Sequence, residues 1–383
     1  MNQTKNAPAP SGSNQQTTNS PLLADLLEEI SDLINKYVKL PHPSLGILLA
    51  CWVALTYCYQ NFQYCGYVAL QSATRRCGKS RLIKLMRFLV NGTPPISTIP
   101  TPANLYRSPH KVILLDEVDK LRNCDKDKYG EVVAVLNLGF EKGGTIQRLE
   151  RRPDGNFVQK DFDVYGPKLL AGIEGLADTL ADRSFFIRMA RSPQRPPRIN
   201  TRRLEATFDT IRQSLEQWLI QHDTTIEQVY DELPDEVPEL AKFDDRFQDI
   251  AEPLMVLASL ADAELAAPNG DNPLNPTIKS RLLSAFAETA KQRTPSGQEE
   301  AFLAFLSLGK RLLNGRDQLF LPSAEMVIAC EQIEELDWIN HSKKLATFLR
   351  PFDLSPQHDP TGSYRGYILT EEWVQEWTSR YQT

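Results

Sequence analysis

Four consecutive residues have the types and the order of a phosphate-binding loop: Cys77, Gly78, Lys79 and Ser80. They follow an apolar run that predicts a strand and they open a predicted helix, which is the context of the second half of the pattern GxxxxGK followed by Ser or Thr. Gly78 lets backbone N–H groups face phosphate oxygens, and the helix N-terminus adds partial positive charge. Lys79 would contact the outer phosphates and Ser80 would offer its hydroxyl to Mg²⁺, so the pattern predicts a site for ATP and Mg²⁺.

The first position of the loop departs from that pattern, because Ala73 stands where a glycine is expected. A Cβ at this position narrows the loop without blocking it. We expect the side chains next to Lys79 to take part in nucleotide binding, and these are Arg75, Arg76, Cys77 and Arg81.

A second motif supplies carboxylates. The continuous apolar run from Lys111 to Leu115 is typical of a central strand in a parallel sheet, and it leads directly into Asp116 and Glu117. Asp116 would hold Mg²⁺ through a water molecule, and Glu117 would polarise the attacking water as a general base. A solvated strand end is the alternative for the acid pair alone, but its combination with the phosphate loop favours a hydrolytic site.

Two arginines are candidates for sensing the nucleotide. Arg183 lies directly before a predicted strand, a position that suits an arginine finger reaching the phosphates of a neighbouring subunit. An ion pair to Asp178 or Asp182 would explain Arg183 equally well. Arg246 precedes a predicted helix and would contact the nucleotide from a helical lid, with a surface ion pair as the alternative.

The elements that must position these residues alternate between strands and helices from residue 64 to residue 190. This alternation predicts an α/β fold with a parallel sheet. Residues 1–20 are rich in Asn, Gln, Thr, Ser and Pro and lack the apolar segment of a signal peptide, so we expect a disordered tail.

Composition excludes several classes of protein. The chain has 383 residues, of which 41% are hydrophobic and 24% are charged, so it is globular rather than collagenous or coiled-coil. Its net charge of −6 means that any contact with DNA must come from local basic patches. Cysteines without a CxxC pair or zinc spacing indicate reduced thiols in a cytoplasmic protein. The apolar run Leu45–Tyr59 is shorter than the roughly 20 residues that span a bilayer, so we expect a buried helix and no membrane partner.

The motifs RCGKS, LLDEVDK, LNLGFEKGGTIQR, PKLLAGI and DTLADRSFFIRM together resemble an uncharacterised family of AAA+-like P-loop ATPases. These proteins occur in bacteria, phages, plasmids and integrated mobile elements, often as the helicase part of primase–helicase proteins. The resemblance extends from about residue 22 to the end and implies a homo-oligomeric ring, such as a hexamer, acting with replication or mobile-element proteins. The chain departs from AAA+ proteins after the predicted strand KLLAGI, where no Asn or Thr stands as sensor one.

The layout also resembles superfamily-three and minichromosome-maintenance helicases, which place a β-hairpin after the acidic strand and point it into the pore of a ring. Two strand-like runs around a Pro-Asp-Gly turn predict a hairpin over residues 144–164 in that place. Its cations would grip a phosphate backbone, and these are Arg148, Arg151, Arg152 and Lys160. A solvated surface hairpin is the alternative.

The C-terminal part resembles a winged helix, with helices around 323–335 and 342–349 before a hairpin wing. Lys343, Lys344 and Arg365 would meet DNA phosphates, although the balanced charge of this part fits a packing module nearly as well. The expected domains are therefore the tail, a helical segment at 21–62, the P-loop ATPase core at 63–203, a helical lid at 204–315 and a winged-helix-like domain at 316–383.

Three functions are compatible with these patterns. The first is an Mg²⁺-dependent ATPase motor that works on single-stranded or forked DNA as a helicase or translocase. The second is a nucleotide-gated DNA-binding scaffold, loader or regulator with slow turnover and no unwinding, which the altered loop start at Ala73 favours. The third is a small-molecule P-loop kinase, which the long helical C-terminal part disfavours.

Overall fold

A computed structural model describes residues 21–72, 76–98, 100–118, 120, 126–172, 178–192, 196–234, 237–266, 277–292, 297–359 and 361–381. The predicted tail, the first part of the phosphate loop with Ala73 and Arg75, and the segment after KLLAG lie outside these residues. The chain divides into two compact units. Met1–Val237 with Arg246–Thr289 form the first unit, and Pro238–Asp245 with Ala290–Thr383 form the second.

Two N-terminal helices, α1 (Leu23–Tyr37) and α2 (Leu45–Cys58), pack against each other. Helix α1 buries one apolar stripe, whereas α2 is buried along almost its whole length. The indole N–H of Trp52 donates to the carbonyl oxygen of Gly66 (2.9 Å), which fixes α2 to the residue directly before the first strand of the sheet. The prediction of a buried helix here is confirmed, and within the described parts of the chain no helix combines the length and apolarity that crossing a membrane requires.

A five-stranded sheet forms the centre of the first unit. Its strands are β1 (Tyr67–Gln71), β2 (Ile96–Ser97), β3 (Ile113–Leu115), β6 (Lys168–Gly172) and β7 (Ser184–Arg188). They lie in the order β2-β3-β6-β1-β7, and every neighbouring pair is parallel. The inner strands are apolar because helices cover both faces of such a sheet. The predicted α/β fold with a parallel sheet is confirmed.

Helices follow the strands and pack around this sheet. They are α3 (Lys79–Leu89), α4 (Pro102–Tyr106), α5 (Lys126–Leu138), α6 (Asp178–Ala181), α7 (Thr201–Asp231), α8 (Asp245–Ala266) and α9 (Ile278–Gln292). The ring of Phe185 in β7 contacts Phe247 of α8 and Phe286 of α9, so these two helices pack directly on the sheet. The segment predicted as one lid, 204–315, is divided between the two units.

A β-hairpin stands between α5 and β6. Its strands, β4 (Thr145–Arg151) and β5 (Phe157–Asp163), pair antiparallel with Arg151 opposite Phe157 next to the turn. The Arg152 N–H donates to the carbonyl oxygen of Asn156 (2.7 Å), and Gly155 adopts a φ of +88° in the turn between them. The predicted hairpin is therefore confirmed, and the Pro-Asp-Gly sequence forms its turn.

The second unit combines helices with a small antiparallel sheet. Its elements are α10 (Gly297–Leu313), β8 (Gln318–Pro322), α11 (Ser323–Glu331), α12 (Ser342–Leu349), β9 (Gln357–His358), β10 (Arg365–Thr370) and α13 (Glu371–Tyr381). The sheet order is β8-β10-β9. An aromatic core holds the unit together, in which Phe302, Phe352 and Trp377 are in mutual ring contact.

Candidate functional site

The residues of the predicted phosphate loop lie where β1 passes into α3. Gly78 has a φ of +95° and is the N-cap of α3, a conformation that a side chain would strain. Lys79 is the first residue of that helix, and its Nζ donates to Oγ of Ser72 at 2.5 Å. Ser72 is buried directly after β1, so this contact holds the amine of Lys79 at the end of that strand. The helix N-terminus and Lys79 thus supply positive charge at one point.

The two predicted carboxylates follow β3. The Asp116 N–H donates to the carbonyl oxygen of Ser97 (2.8 Å), which extends the pairing of β2 and β3 to the acid pair. Glu117 has a φ of +60°, in the left-handed region that non-glycine residues rarely adopt. Its carboxylate forms an ion pair with Lys120 (2.6 Å). Strained backbone of this kind is concentrated at functional sites.

One cavity of about 870 Å³ brings the two motifs together, since Lys79, Ser80, Asp116 and Glu117 all line it. It lies at the carboxyl ends of the parallel strands, because Gly172 at the end of β6 lines it as well. From β1 the chain continues to β2, at one edge of the sheet, whereas from the neighbouring β6 it continues to β7, at the opposite edge. Ligands of open α/β sheets bind at such a topological switch point.

Positive charge dominates the cavity wall. Six cationic side chains among the described residues line it, against the two carboxylates: Lys39, Arg76, Lys79, Arg81, Arg191 and Arg198. This surplus suits an anion with several charges, such as a triphosphate. The guanidinium of Arg81 also donates to the carbonyl oxygens of Tyr37 (3.4 Å) and Pro196 (3.2 Å), so it joins the end of α1 to the segment after β7.

Three of these cations are absent from the sequence-based site, namely Lys39, Arg191 and Arg198. Lys39 follows α1, and the two arginines lie after β7 in a Pro-rich stretch that looks like a linker. That stretch contains several arginines and no acidic residue. This is the sequence signal that would have indicated binding of a polyanion.

The donor set fits Mg²⁺ only together with a phosphate. Ser80 and Asp116 offer one hydroxyl and one carboxylate to the cavity. Throughout the described ranges, no group of three or more His, Cys, Asp or Glu side chains is placed to hold a metal ion by itself. Mg²⁺ is commonly held by one or two protein oxygens together with substrate phosphates, so the arrangement agrees with the metal site predicted from the sequence.

Arg183 and Arg246 lie away from this cavity. Both guanidinium groups lie 5.3 Å from the ring centroid of Phe140. The carbonyl oxygen of Phe140 accepts from the N–H of Cys65, shortly before β1, so the ring lies at the amino ends of the strands. The cavity is at the opposite ends. The interpretation of Arg246 as a lid sensor for the chain's own nucleotide is therefore corrected, because the packing of α8 takes it to the other edge of the sheet.

Arg183 keeps an unsatisfied donor at that edge. One terminal N–H of its guanidinium donates to the carbonyl oxygen of Thr179 (2.5 Å), whereas its buried Nε has no hydrogen-bond partner among the described residues. Burial and the neighbouring Arg246 lower the pKa of Arg183. From this position Arg183 could contact a phosphate only on another chain, which is what an arginine finger requires.

The predicted nucleic-acid contacts on the hairpin divide into two groups. Arg148 lies over the ring of Tyr106 (5.5 Å) and Lys160 pairs with Glu150 (3.4 Å), so both take part in contacts within the unit. Arg151 and Arg152 lie at the exposed tip. All four predicted cations are exposed, and two of them also contact residues of the same unit.

The predicted contacts in the second unit are brought together only in part. Lys343 and Lys344 line a groove of about 1230 Å³ with Trp338 and three glutamates, and Lys344 Nζ donates to the carbonyl oxygen of Trp338 (2.9 Å). Arg365 opens β10, pairs in register with His358 and is exposed next to Tyr364. The three glutamates outnumber the two lysines, so this groove is not basic.

Comparison of the chain with protein-family models and with curated proteins finds no match.

Proposed function

We propose that this chain is an Mg²⁺-dependent ATPase of the AAA+-like P-loop type that couples hydrolysis to work on DNA. Lys79, Ser80, Asp116 and Glu117 line one cavity at the carboxyl edge of a parallel sheet, and this single observation carries the proposal. In the proposed setting, a ring of copies acts in the cytoplasm as a helicase or translocase of a mobile element or replication system.

Each residue has a defined task in this reaction. The Lys79 amine and the N–H groups at the start of α3 hold the outer phosphates and orient the terminal one for in-line attack by water. Ser80 and Asp116 would hold Mg²⁺, which would neutralise charge on the phosphate oxygens. Glu117 accepts the proton of the attacking water at its carboxylate. Its ion pair with Lys120 occupies one carboxylate oxygen and so competes with the attacking water for this group.

The position of Arg183 supports the proposed ring. Arg183 lies at the amino edge of the sheet, opposite the cavity of its own chain, so it supports catalysis only in a head-to-tail assembly. Heterologous contacts of this kind form a ring when the rotation between neighbouring chains closes.

Two features support DNA as the partner. The hairpin carries exposed arginines at its tip, and the second unit has the element order α10-β8-α11-α12-β9-β10 expected of a winged helix. Lys343 and Lys344 lie at the start of α12, and Arg365 lies beside the exposed Tyr364 in the predicted wing. These cations are the candidate phosphate contacts of that unit.

Nucleotide assays test the proposal. We expect Lys79→Ala to lose ATP binding, and Glu117→Gln to bind ATP but lose hydrolysis, because only the proton acceptor is removed. Arg203→Ala is the matched control, since Arg203 is exposed at the start of α7. The hydrolysis rate of the parent should rise when single-stranded DNA is added. The mass of the particle in solution should increase with a non-hydrolysable ATP analogue, because the copies then assemble. Parental hydrolysis rates in both site variants would overturn the proposal.

A second candidate is a nucleotide-gated scaffold or loader with slow turnover. The observation that favours it is the ion pair of Glu117 with Lys120, which engages the carboxylate of the proposed base. A strand-displacement assay with ATP separates the two functions, because only the motor releases the displaced strand.

A further inference from the structure

The second unit contains a groove of about 1230 Å³ that takes no part in the proposed reaction. It is lined by the start of α10, by the 3₁₀ turn Glu334–Leu336 with Trp338 just beyond it, and by α12. Phe348 of α12 also lines it, and this ring contacts Phe302 in the aromatic core of the unit. Every lining residue belongs to the second unit, and we call this feature the Trp338 groove.

The indole of Trp338 is held in one orientation although part of it is open to solvent. Its N–H donates to the carbonyl oxygen of Glu335 (3.1 Å), and its ring meets that of Phe348 edge-on, with 5.5 Å between the centroids. The residue is nevertheless 43% exposed. An edge-on contact covers at most one face of the indole, and the N–H already has an acceptor. The groove therefore offers a ligand the other face of a pre-oriented aromatic ring.

Carboxylates outnumber cations around this ring. Three glutamates line the groove, and within the described parts of the chain none of their carboxylates forms an ion pair: Glu300, Glu334 and Glu335. The flanking sequence adds to the surplus, since residues 324–340 contain five acidic residues and no basic residue. The groove is therefore a place where a partner's cation gains attraction from several carboxylates at once.

The basic residues of the groove all lie at the start of α12. The Lys344 amine is already engaged, because it donates to the carbonyl oxygen of Trp338 (2.9 Å). His341 adds no charge, since its Nδ1 accepts from the N–H of Lys344 (3.2 Å) as the N-cap of the helix. Lys343 is exposed at the same helix start. The cations are thus confined to one helix end, whereas the glutamates come from α10 and from the turn before Trp338.

We propose that the Trp338 groove binds an arginine-containing segment of a partner protein. One guanidinium stacks on the Trp338 indole and donates to the carboxylate of Glu334 or Glu335, and Glu300 accepts from a second basic side chain. Arginine fits this combination better than lysine, because its planar group stacks on an aromatic ring while its edge donates two parallel hydrogen bonds to a carboxylate. The assignment goes beyond ATP hydrolysis and does not depend on it.

Other occupants fit the groove less well. The phosphates of a nucleic acid inside it would meet three carboxylates against two ammonium groups. Lys343 can still contact a phosphate from outside the groove. A second copy joined symmetrically would bring the glutamates of the two grooves together, which costs free energy. A basic segment of another protein supplies the opposite charge and the group that an open indole binds.

Binding of a fluorescein-labelled hexa-arginine peptide to the full chain, followed by fluorescence anisotropy, tests this inference. We expect Trp338→Ala to weaken binding about five-fold, as for the loss of a solvent-exposed cation–π contact. Glu335→Gln should weaken binding by about as much, because it removes the charge and keeps the size of the side chain. The parent should bind hexa-arginine more tightly than hexalysine, and this preference should disappear in Trp338→Ala and persist in part in Trp338→Phe.

The controls remove the same chemistry elsewhere in the unit. Glu372→Gln removes an exposed carboxylate on α13, and Ile328→Ala removes an exposed apolar side chain on α11, so both should bind the peptide as the parent does. Trp338 contacts the core, so urea denaturation of Trp338→Ala reports whether the fold is retained. Glu335→Gln tests the groove without removing a packed ring.

Four outcomes would overturn the inference. One is parental peptide affinity in both Trp338→Ala and Glu335→Gln. Another is an equal loss in Glu372→Gln, which would mean attraction by the overall negative charge. Weaker binding of a labelled oligothymidylate by Trp338→Ala, with parental peptide affinity, would assign the groove to nucleic acid. A lower particle mass for Glu335→Gln, with parental peptide affinity, would assign it to a second copy.

The inference and the proposed function fail separately. ATP hydrolysis without DNA should be the same in Trp338→Ala as in the parent, because the groove lies in the second unit and the nucleotide cavity in the first. A parent that does not hydrolyse ATP contradicts the proposed function, and its binding of hexa-arginine still decides the role of the groove.

Discussion

The carboxylate of Glu117 lies 2.6 Å from the Nζ of Lys120, one helical turn further along the chain. The backbone of Glu117 lies in the left-handed region. The proposed general base therefore has an unusual backbone conformation, and its carboxylate is engaged by Lys120. In the proposed ATPase this contact sets the fraction of time in which Glu117 is available to water.

Releasing that contact should accelerate hydrolysis. We expect Lys120→Ala to raise kcat about two- to five-fold with little change in KM, because an exposed ion pair of this kind is worth about 0.2–1 kcal/mol. Steady-state hydrolysis at saturating ATP measures it. A fall in kcat would mean that Lys120 orients the base instead of restraining it.

The cations that the sequence did not reveal should contribute to nucleotide affinity. We expect Arg198→Ala and Lys39→Ala each to weaken ATP binding about five-fold, which corresponds to about 1 kcal/mol for a partly solvated contact with a charged group. Isothermal titration with an ATP analogue measures the effect, with Arg203→Ala as the charge-matched control. Unchanged affinity in both variants would show that the wall of the cavity beyond Arg81 does not reach the ligand.

Arg183 should act on the neighbouring chain. We expect Arg183→Ala to bind ATP as the parent does but to hydrolyse it roughly 1000-fold more slowly, as when an arginine finger is removed. Mixing Arg183→Ala with Lys79→Ala should restore part of the activity, because some interfaces then combine an intact cavity with an intact arginine. Failure of the mixture to recover activity, with rings still formed, would contradict action in trans.

Lys168 should be a major contributor to stability. It is fully buried at the start of β6, and its amine donates to the carbonyl oxygens of Gly139 (3.0 Å), Val164 (2.9 Å) and Gly166 (2.6 Å). Lys168→Met leaves these acceptors without a donor, so we expect a loss of about 3 kcal/mol in the free energy of unfolding. Urea denaturation measures it. Lys111→Met is the control, since its exposed ion pair with Asp163 is worth below about 1 kcal/mol.

The same lysine should make stability depend on pH. Burial lowers the pKa of Lys168 to about 7. Because the unfolded chain then binds more protons than the folded chain above that pH, the free energy of unfolding rises with pH up to the ordinary lysine pKa. We expect the parent to gain about 1 kcal/mol per pH unit relative to Lys168→Met between pH 7 and pH 9. Parallel stability curves for the two proteins would contradict the lowered pKa.

Local motifs could be predicted from the sequence because their chemistry is contiguous. Lys79 and Asp116 each follow an apolar strand, and parallel strands necessarily bring their carboxyl ends to one edge, so their shared cavity follows from the pattern. The hairpin turn was equally accessible, since Pro-Asp-Gly determines it within a few residues.

Two properties could not be predicted in the same way: the face of a strand on which a side chain lies, and the packing of elements that are distant in sequence. Arg148 and Arg151 differ only in which side of β4 they occupy, and that choice depends on α4, about 40 residues away in the chain. Arg246 belongs to α8, which packs on β7 through the ring contacts of Phe247. Nothing in the sequence around Phe247 or Phe286 indicates that this packing places Arg246 at the amino edge of the sheet. Arg198 lies in a stretch without regular structure, where periodicity gives no information.

The three carbonyl contacts of Arg81 have a mechanical consequence. Its guanidinium connects the helix that begins at the phosphate loop with the last turn of α1 and with Pro196 and Pro197 beyond the final strand. A displacement of α3 therefore changes the hydrogen bonds of Arg81 to the end of α1 and to the segment after β7 at the same time. One side chain in this way couples the phosphate loop to two segments that are distant in sequence.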